Sequence, residues 1–292
     1  RARSRQHHAT SQMILNHRNF LLEGERIGLR YSLAVPKTTA ATLAGLQTGQ
    51  RVGSSLEFKD HRDYQPGDDL RRIDWNAFAR SDKLTVKLFR EEITPHLDVL
   101  IDGSRSMAIE PGTKAQAAIA LAAALAVAAE NAGHSHSVWM AREFCEPLAN
   151  SAGRPSTWAE LKFDFRQHPL ESFSRVPPKL RRQGQRIFIS DLLWLGEPLQ
   201  LLQQLSLNAA SVTVVQLLSE SDLAPVERGR MRLVDSETEE QREIFIDDAA
   251  IKRYKDALAR HQQNWHRACR QTGAALIEMI AEPFLATWNL EA

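Results

Sequence analysis

The sequence predicts an α/β fold in which a mainly parallel sheet is flanked by helices. Five short apolar runs are typical of buried strands, and helical stretches separate them, an order that favours a parallel sheet. Residues 1–95 lack this alternation, so we expect a smaller N-terminal extended segment followed by a main Rossmann-like domain at residues 96–292. The predicted strands are residues 97–101, 137–142, 186–190, 212–218 and 274–279.

The longest apolar stretch, residues 114–130, predicts a buried helix. Fourteen of the fifteen residues from Ala115 to Ala129 are apolar and most are alanine, the best helix former. A helix that is apolar on all sides has to be buried. Thr113 is the expected N-cap and Gly133 the expected end. The small side chains argue against a membrane span.

Three further elements are predicted outside the sheet. A short helix is expected near Met13 to Leu22, with weak strands and loops over residues 25–50. Two short strands, at residues 231–235 and 242–246, form a predicted surface hairpin. The stretch after it, residues 247–270, is a predicted helix that begins with an Asp cap.

Composition restricts the class of protein. A chain of 292 residues with 43% hydrophobic content buries a sizeable core. The net charge of only +1 argues against nucleic acid as a partner. Cys145 and Cys269 are too far apart for a zinc knuckle or a disulfide framework. We therefore expect a cytoplasmic protein.

A polar motif follows the first predicted strand of the sheet. Residues 97–101 run directly into Asp102-x-Ser104-x-Ser106. In extended chain, side chains at i, i+2 and i+4 lie on the same side, so one carboxylate and two hydroxyls converge. These are hard oxygen donors suited to Mg²⁺ or Mn²⁺. The alternative is an ordinary turn, because Ser and Asp often bond local backbone.

A second carboxylate, Asp191, ends the predicted strand at residues 186–190. If the two strands are parallel neighbours, Asp102 and Asp191 meet at one edge of the sheet, where α/β folds place their ligands. Without a cation their charges repel. The sequence therefore predicts a metal site here, provided that the strand ends converge and that no lysine ammonium fills the space between them.

Together with Ser190, these residues resemble the metal-ion-dependent adhesion site of von Willebrand factor A domains. The resemblance implies a further Thr ligand in a loop before Asp191. That segment falls near residues 167–170, which contain no Thr. Thr157 is the nearest substitute, and Ser172 or water is the alternative. The resemblance also implies that a partner's acidic side chain completes the metal shell.

A longer signature lies upstream of this motif. The run from Leu56 to Trp75, followed by Ala79-Arg80 and by residues 86–92, resembles the bacterial domain-of-unknown-function family fifty-eight. The similarity extends from about Gly49 to the closing helix. It implies a von Willebrand A-like fold and a partnership with MoxR-type AAA+ ATPases.

The charged signature, residues 51–92, also has a physical interpretation. It holds nine Lys or Arg and nine Asp or Glu, together with aromatic residues that a disordered polyampholyte would lack. We expect either a protein-docking surface beside the metal edge or a salt-bridged scaffold. The candidate partner-binding residues are Arg62, Tyr64, Asp68, Asp69, Arg72, Asp74, Trp75 and Arg80.

The function that these patterns favour is a metal-ion-dependent adaptor or substrate receptor for an AAA+ ATPase. The alternative is a Mg²⁺-dependent hydrolase with Asp102 as nucleophile. Phosphoryl-transfer hydrolases of this kind carry an Asp-x-Asp motif whose second carboxylate is the general acid. Ser104 occupies that second position here, and its hydroxyl does not donate a proton readily near neutral pH. A third option is a scaffold whose metal site has decayed.

Overall fold

The computed structural model of the chain describes residues 17–34, 56–91, 95–109, 111–224, 228–236 and 240–290. These residues form two compact units. The smaller unit contains residues 56–91. The larger contains residues 17–34 and the described residues from Pro95 onwards. Residues 17–28 are helical (α1), so the expectation of strands and loops from residue 25 is wrong for residues 25–28, and the expectation for residues 35–50 lies outside the described residues.

The smaller unit is an antiparallel strand pair with a helical connection. Strand β1 (Leu56–Asp63) pairs with β2 (Thr85–Glu91). Between them lie a 3₁₀ turn, Leu70–Arg72, and helix α2 (Trp75–Ser81). Helix α2 ends where Asp82 adopts a left-handed conformation, φ 55°.

The larger unit contains one sheet and a separate hairpin. Their strands are β3 (His96–Asp102), β4 (Ser135–Ala141), β5 (Cys145–Pro147), β6 (Gln185–Ser190), β7 (Ser211–Leu218), β8 (Gly229–Val234), β9 (Gln241–Ile246) and β10 (Ala275–Ile280). In the described residues the order of the sheet is β10-β7-β6-β3-β4-β5, and every neighbouring pair is parallel except β4 with β5. The hairpin consists of β8 and β9. The predicted mainly parallel α/β sheet is confirmed.

Helices cover both faces of this sheet, and two buried apolar clusters fill the space between. One cluster holds the alanine-rich helix and the other holds the buried face of the long amphipathic helix around Trp265. The helices are α3 (Thr113–Asn131), α4 (Pro169–Arg175), α5 (Pro198–Ser206), α6 (Glu220–Leu223), α7 (Asp248–Thr272) and α8 (Ala281–Thr287).

One of the two N-caps predicted from the sequence is observed and the other is not. Asp247 caps α7, since its side chain accepts a hydrogen bond from the Ala250 N–H at 2.7 Å. The predicted cap at Thr113 is wrong. Gly112 is the N-cap of α3, and the Thr113 hydroxyl instead donates to Glu282 at 3.1 Å. A contact with a residue so distant in sequence replaces the local cap.

Helix α3 is long and apolar enough to span a bilayer, yet 78% of its apolar window is buried within the protein. Its small side chains allow close approach by α1. A β-carbon on Gly24 would lie 2.4 Å from the Ala120 carbonyl oxygen, and one on Gly28 would lie 2.6 Å from that of Ala124. The two helices therefore touch backbone to backbone at both glycines.

We expect Gly24→Ala and Gly28→Ala each to lower the free energy of unfolding by about 1–3 kcal/mol, the usual cost of overpacking. Elsewhere in a helix the same change is stabilising, because alanine has the higher helix propensity. Urea denaturation measures the sign. Asn19→Ala, at an exposed position of α1, is the control and should not destabilise. Stabilisation by both glycine substitutions would contradict the close contact.

Candidate functional site

The reversal of strand order positions the Asp102 motif. From β3 the chain moves to β4 on one side and later returns to β6 on the other. Ile101 pairs with Ile189 in the parallel ladder, so the carboxyl ends of β3 and β6 lie side by side. This is the switch point at which open α/β sheets bind ligands. The predicted neighbourhood of the two strands is thus present.

The Asp102 carboxylate is fully buried and held by hydrogen bonds on both oxygens. Oδ1 accepts from the Ser104 N–H at 2.8 Å, and Oδ2 accepts from the Ser190 hydroxyl at 2.6 Å. The hydroxyls of Ser104 and Ser106 lie 3.0 Å apart and share a hydrogen bond. The Ser104 and Ser106 hydroxyls are therefore neighbours, but through a 3₁₀ turn at Arg105–Ala108 and not through the extended chain that the spacing argument assumed.

Asp191 is bound to a lysine. The Lys114 ammonium, from the first turn of α3, donates to Asp191 Oδ2 at 2.8 Å and lies 3.1 Å from Asp222 Oδ2. Asp191 Oδ1 accepts from the Leu193 N–H at 3.0 Å. The side chains of Lys114 and Asp191 are only 5% and 1% exposed. A buried ion cluster thus stands beside Asp102.

The environment of Asp102 disfavours its negative charge. Burial, followed by the nearby charge of Asp191, raises the pKa of Asp102 to about 7, against the hydrogen bonds from Ser190 and Ser104. For Lys114, burial lowers the pKa, but the charges of Asp191 and Asp222 outweigh burial, so the pKa is raised overall. The cluster therefore keeps its lysine charged.

Thr157 lies far from Asp102. Its hydroxyl donates to the Arg154 carbonyl oxygen at 2.7 Å. The neighbouring Gly153 carbonyl oxygen lies 3.3 Å from His136, near the amino end of β4. Since Asp102 ends the parallel strand β3, the two residues lie towards opposite edges of the sheet.

The loop that does lie beside the motif contains no threonine. Phe165 bonds to the motif through its backbone, at Gly103 and Arg105. Three residues on, the His168 ring stacks on Trp194 with 5.1 Å between ring centroids. The Ser172 hydroxyl donates to the Arg142 carbonyl oxygen. No hydroxyl of this loop replaces the missing threonine in the described contacts.

These observations test whether the residues fit Mg²⁺ or Mn²⁺. The two serine hydroxyls are arranged suitably, but both Asp102 oxygens already accept hydrogen bonds and Asp191 is neutralised by Lys114. Among the described residues, no group of three His, Cys, Asp or Glu side chains is placed to hold a metal ion. A dication would also be repelled by the ammonium. The residues do not fit the ion that the resemblance implies.

Lys114 and Asp222 are not among the site residues predicted from the sequence. A signal for Lys114 was available, because it is the one charged residue between Thr113 and Ala129, and a charge in a buried helix needs a partner. Asp222 gave no comparable signal. Its carboxylate lies in a capping box with Ser219, a pattern that is typical of ordinary helix starts.

In the smaller unit, three acidic residues of the signature bind the turns and helix start of that unit. Asp68 accepts from Arg62 at 2.8 Å and from the Gln65 N–H at 2.8 Å. Asp69 caps the 3₁₀ turn through the Arg71 N–H. Asp74, 6% exposed, caps α2 through the N–H groups of residues 76 and 77 and contacts His61 and Lys87. These carboxylates build the local fold.

Several basic and apolar residues of the same segment are exposed. Trp75 and Leu70 are each 60% exposed, and Trp75 meets Phe78 edge to face at 6.2 Å. Tyr64 is half-buried. We call the exposed set the signature patch; it consists of Leu70, Arg71, Arg72, Trp75 and Arg80.

The fold and the switch-point cluster define an α/β protein with a Rossmann-like sheet whose carboxyl edge is closed by buried polar and charged groups. Within that class, the chain belongs to the family described as protein of unknown function DUF58, whose profile matches residues 60–264. The match includes the motif at residues 102–106, Asp191 and most of the charged signature.

Related proteins come from mycobacteria. The uncharacterized proteins Mb1516 of Mycobacterium bovis and Rv1480 of Mycobacterium tuberculosis are each 26% identical to this chain over 268 residues, covering 85% of the chain and 81% of each relative.

Two solved structures are similar at 10% identity. One is the conserved hypothetical protein BatB from Bacteroides thetaiotaomicron, with a TM-score of 0.34 over 65% of this chain and 93% of that chain. The other is an aerotolerance-related membrane protein from Bacteroides fragilis, with a TM-score of 0.32 over 63% and 91%. At these TM-scores neither likeness carries an argument about this chain.

The raised pKa of Asp102 predicts a pH effect on stability. As the pH rises from 3.8 to about 7, the unfolded chain loses this proton while the folded chain retains it, so folding becomes less favourable. The free energy of unfolding of Asp102→Asn, minus that of wild type, should therefore rise over this pH window and stay constant above it. Urea denaturation at several pH values measures the difference. Asp256→Asn, at an exposed position of α7, should show no such trend, and parallel curves for Asp102→Asn would contradict the raised pKa.

The lowered pKa of Asp74 predicts the opposite pH dependence of stability in the smaller unit. The hydrogen bond from His61, then the Ala77 N–H, lowers the pKa of Asp74 from 3.8 to about 2. Its contribution to stability is therefore present above pH 3.8 and is lost as the pH falls towards 2. NMR titration of the Asp74 carboxyl carbon measures this pKa directly. Asp74→Asn should destabilise the smaller unit at neutral pH, whereas Asp82→Asn, a swap between two residues that tolerate the left-handed conformation, should not.

Proposed function

We propose that this chain is a protein-binding adaptor that docks its partner through the signature patch. The observation that carries the proposal is the division of charges in the smaller unit. The signature is electrically neutral in sequence, yet Asp68, Asp69 and Asp74 make local contacts while Arg71, Arg72 and Arg80 are exposed. Among the described side chains of residues 61–87, the exposed charged residues are Arg71, Arg72, Arg80 and Lys83 against Asp63 and Asp82. Arg71 also lies 3.3 Å from Asp69, and the exposed surface of this segment is still net basic.

The chemistry of the patch favours a protein partner. Trp and Arg are the residue types most enriched among binding hot spots, and Trp75 presents a large apolar surface to solvent. The arginines favour a partner with acidic side chains, since complementary charge raises the rate of association. A partner pocket that takes up Trp75, surrounded by Asp or Glu, matches both features.

A MoxR-type AAA+ ATPase is the candidate partner, because the family resemblance implies this partnership. The resemblance likewise favours the finer description of the larger unit as von Willebrand A-like, which the placement of Asp102-x-Ser104-x-Ser106 at the switch point supports. The cytoplasmic location stays a prediction. Mg²⁺ binding is untested, and the ion pair of Lys114 with Asp191 argues against it. The docking role proposed here requires no metal ion.

Hydrolysis with Asp102 as nucleophile is less well supported. A nucleophile has to reach its substrate, whereas the Asp102 side chain is fully buried and both of its oxygens accept hydrogen bonds. The third option, a scaffold with a decayed metal site, has one observation in its favour, the ion pair between Lys114 and Asp191. It is compatible with docking through the smaller unit.

Binding of the full chain to a MoxR-type AAA+ ATPase from the same genome tests the proposal by biolayer interferometry. We expect Trp75→Ala to weaken binding by about 30-fold or more, the effect of losing a hot-spot residue worth about 2 kcal/mol. Arg72→Glu should weaken binding and reduce its dependence on salt, because it removes a charge that attracts the partner.

Matched controls come from the β8–β9 hairpin and α7. Phe245→Ala removes a comparably exposed aromatic residue, 68% exposed, and Arg253→Glu reverses an exposed charge. Both should bind as the wild type does. Unchanged affinity for Trp75→Ala and Arg72→Glu, or equal losses in the controls, would remove the signature patch as the docking surface.

A further inference from the structure

The Lys114 ammonium joins two strand ends to a helix. Lys114 lies in the first turn of α3 and is 4% exposed. Its two carboxylate partners follow different strands, Asp191 after β6 and Asp222 after β7. Lys114 and Asp191 are 77 positions apart in the sequence. The ion cluster is therefore a tertiary clamp at the carboxyl edge.

Each carboxylate of the clamp also organises its own turn. Asp191 accepts the Leu193 N–H on one oxygen and Lys114 on the other. Asp222 accepts the Ser219 N–H at 2.9 Å on the same oxygen that faces Lys114. A single positive charge thus holds two turns that carry negative charge into the interior.

We infer that the Lys114 ammonium takes the place of a divalent cation at this edge, so that the protein assembles its switch point without a metal ion. A dication in contact with Asp191 would have to displace the ammonium or lie beside it, and like charges in a buried site repel strongly. The ammonium supplies the counter-charge and the hydrogen bonds from within the chain.

Replacement of Lys114 by an uncharged residue should allow a metal ion to bind at this edge. Lys114→Met keeps much of the apolar stem and removes the charge, which leaves Asp191 and Asp222 without the ammonium that both of them contact. Hard carboxylate oxygens gathered at one point attract Mg²⁺ and Mn²⁺. Removal of the lysine should therefore convert a metal-free edge into a metal-dependent one.

The experiment measures Mn²⁺ binding by electron paramagnetic resonance and thermal unfolding in EDTA or excess Mg²⁺, using the full chain alone. For wild type we expect no saturable Mn²⁺ binding and the same Tm in both buffers. Lys114→Met should have a lower Tm in EDTA, recover part of the loss in Mg²⁺, and bind Mn²⁺ at least about tenfold more tightly than wild type. Lys162→Met, at an exposed lysine of the same unit, should match wild type.

Two results would overturn the inference: saturable Mn²⁺ binding by wild type that Asp102→Asn abolishes, or a Lys114→Met protein that is as stable as wild type in EDTA and gains no Mn²⁺ affinity. If Lys114→Met does not fold, the pair Lys114→Met with Asp191→Asn decides. Recovery of folding by the pair supports the clamp, and failure of both proteins counts against it. No partner is present in these measurements, so the inference stands or falls separately from docking through the signature patch.

Discussion

The parallel pairing of β3 with β6 is the constraint on which the rest of the larger unit depends. The strand order reverses at this pair of strands. At their carboxyl ends the Ser190 hydroxyl donates a hydrogen bond to the Asp102 carboxylate. Because parallel strands end at a common edge, this pairing also brings the Asp191 carboxylate close to the Asp102 carboxyl, whose pKa is raised first by burial and then by this neighbouring charge. The edge therefore concentrates negative charge in a dry environment, where the chain has to supply compensation.

The compensation comes from a helix that is otherwise apolar. Helix α3 is alanine-rich because it packs between the sheet and α1, where two glycines touch its backbone. Its first turn reaches the carboxyl edge, and Lys114 is the residue that this position offers to Asp191 and Asp222. The burial of α3 therefore has two effects. It excludes polar residues along most of the helix, and it strengthens the ion pairs that Lys114 makes in the first turn.

The smaller unit uses its charges differently. Its carboxylates cap a 3₁₀ turn and a helix at Asp69 and Asp74, so they serve local structure, and the side chains left at the surface are those suited to recognition. The two units therefore differ in their charged groups: the larger contains a buried ion cluster, and the smaller has an exposed Trp75 with exposed arginines.

The sequence by itself determined the α/β class, the five main strands and the α3 and α7 helices, because these follow from periodicity and local spacing. Only the tertiary structure decided the partner of Asp191, since Lys114 lies 77 residues away and ion pairing depends on which elements the topology brings together. The same holds for Thr157, which a linear count placed near the motif but which lies towards the opposite edge. It holds also for the signature, in which Asp69 and Asp74 became caps while Arg72 and Trp75 stayed exposed once the turns had formed.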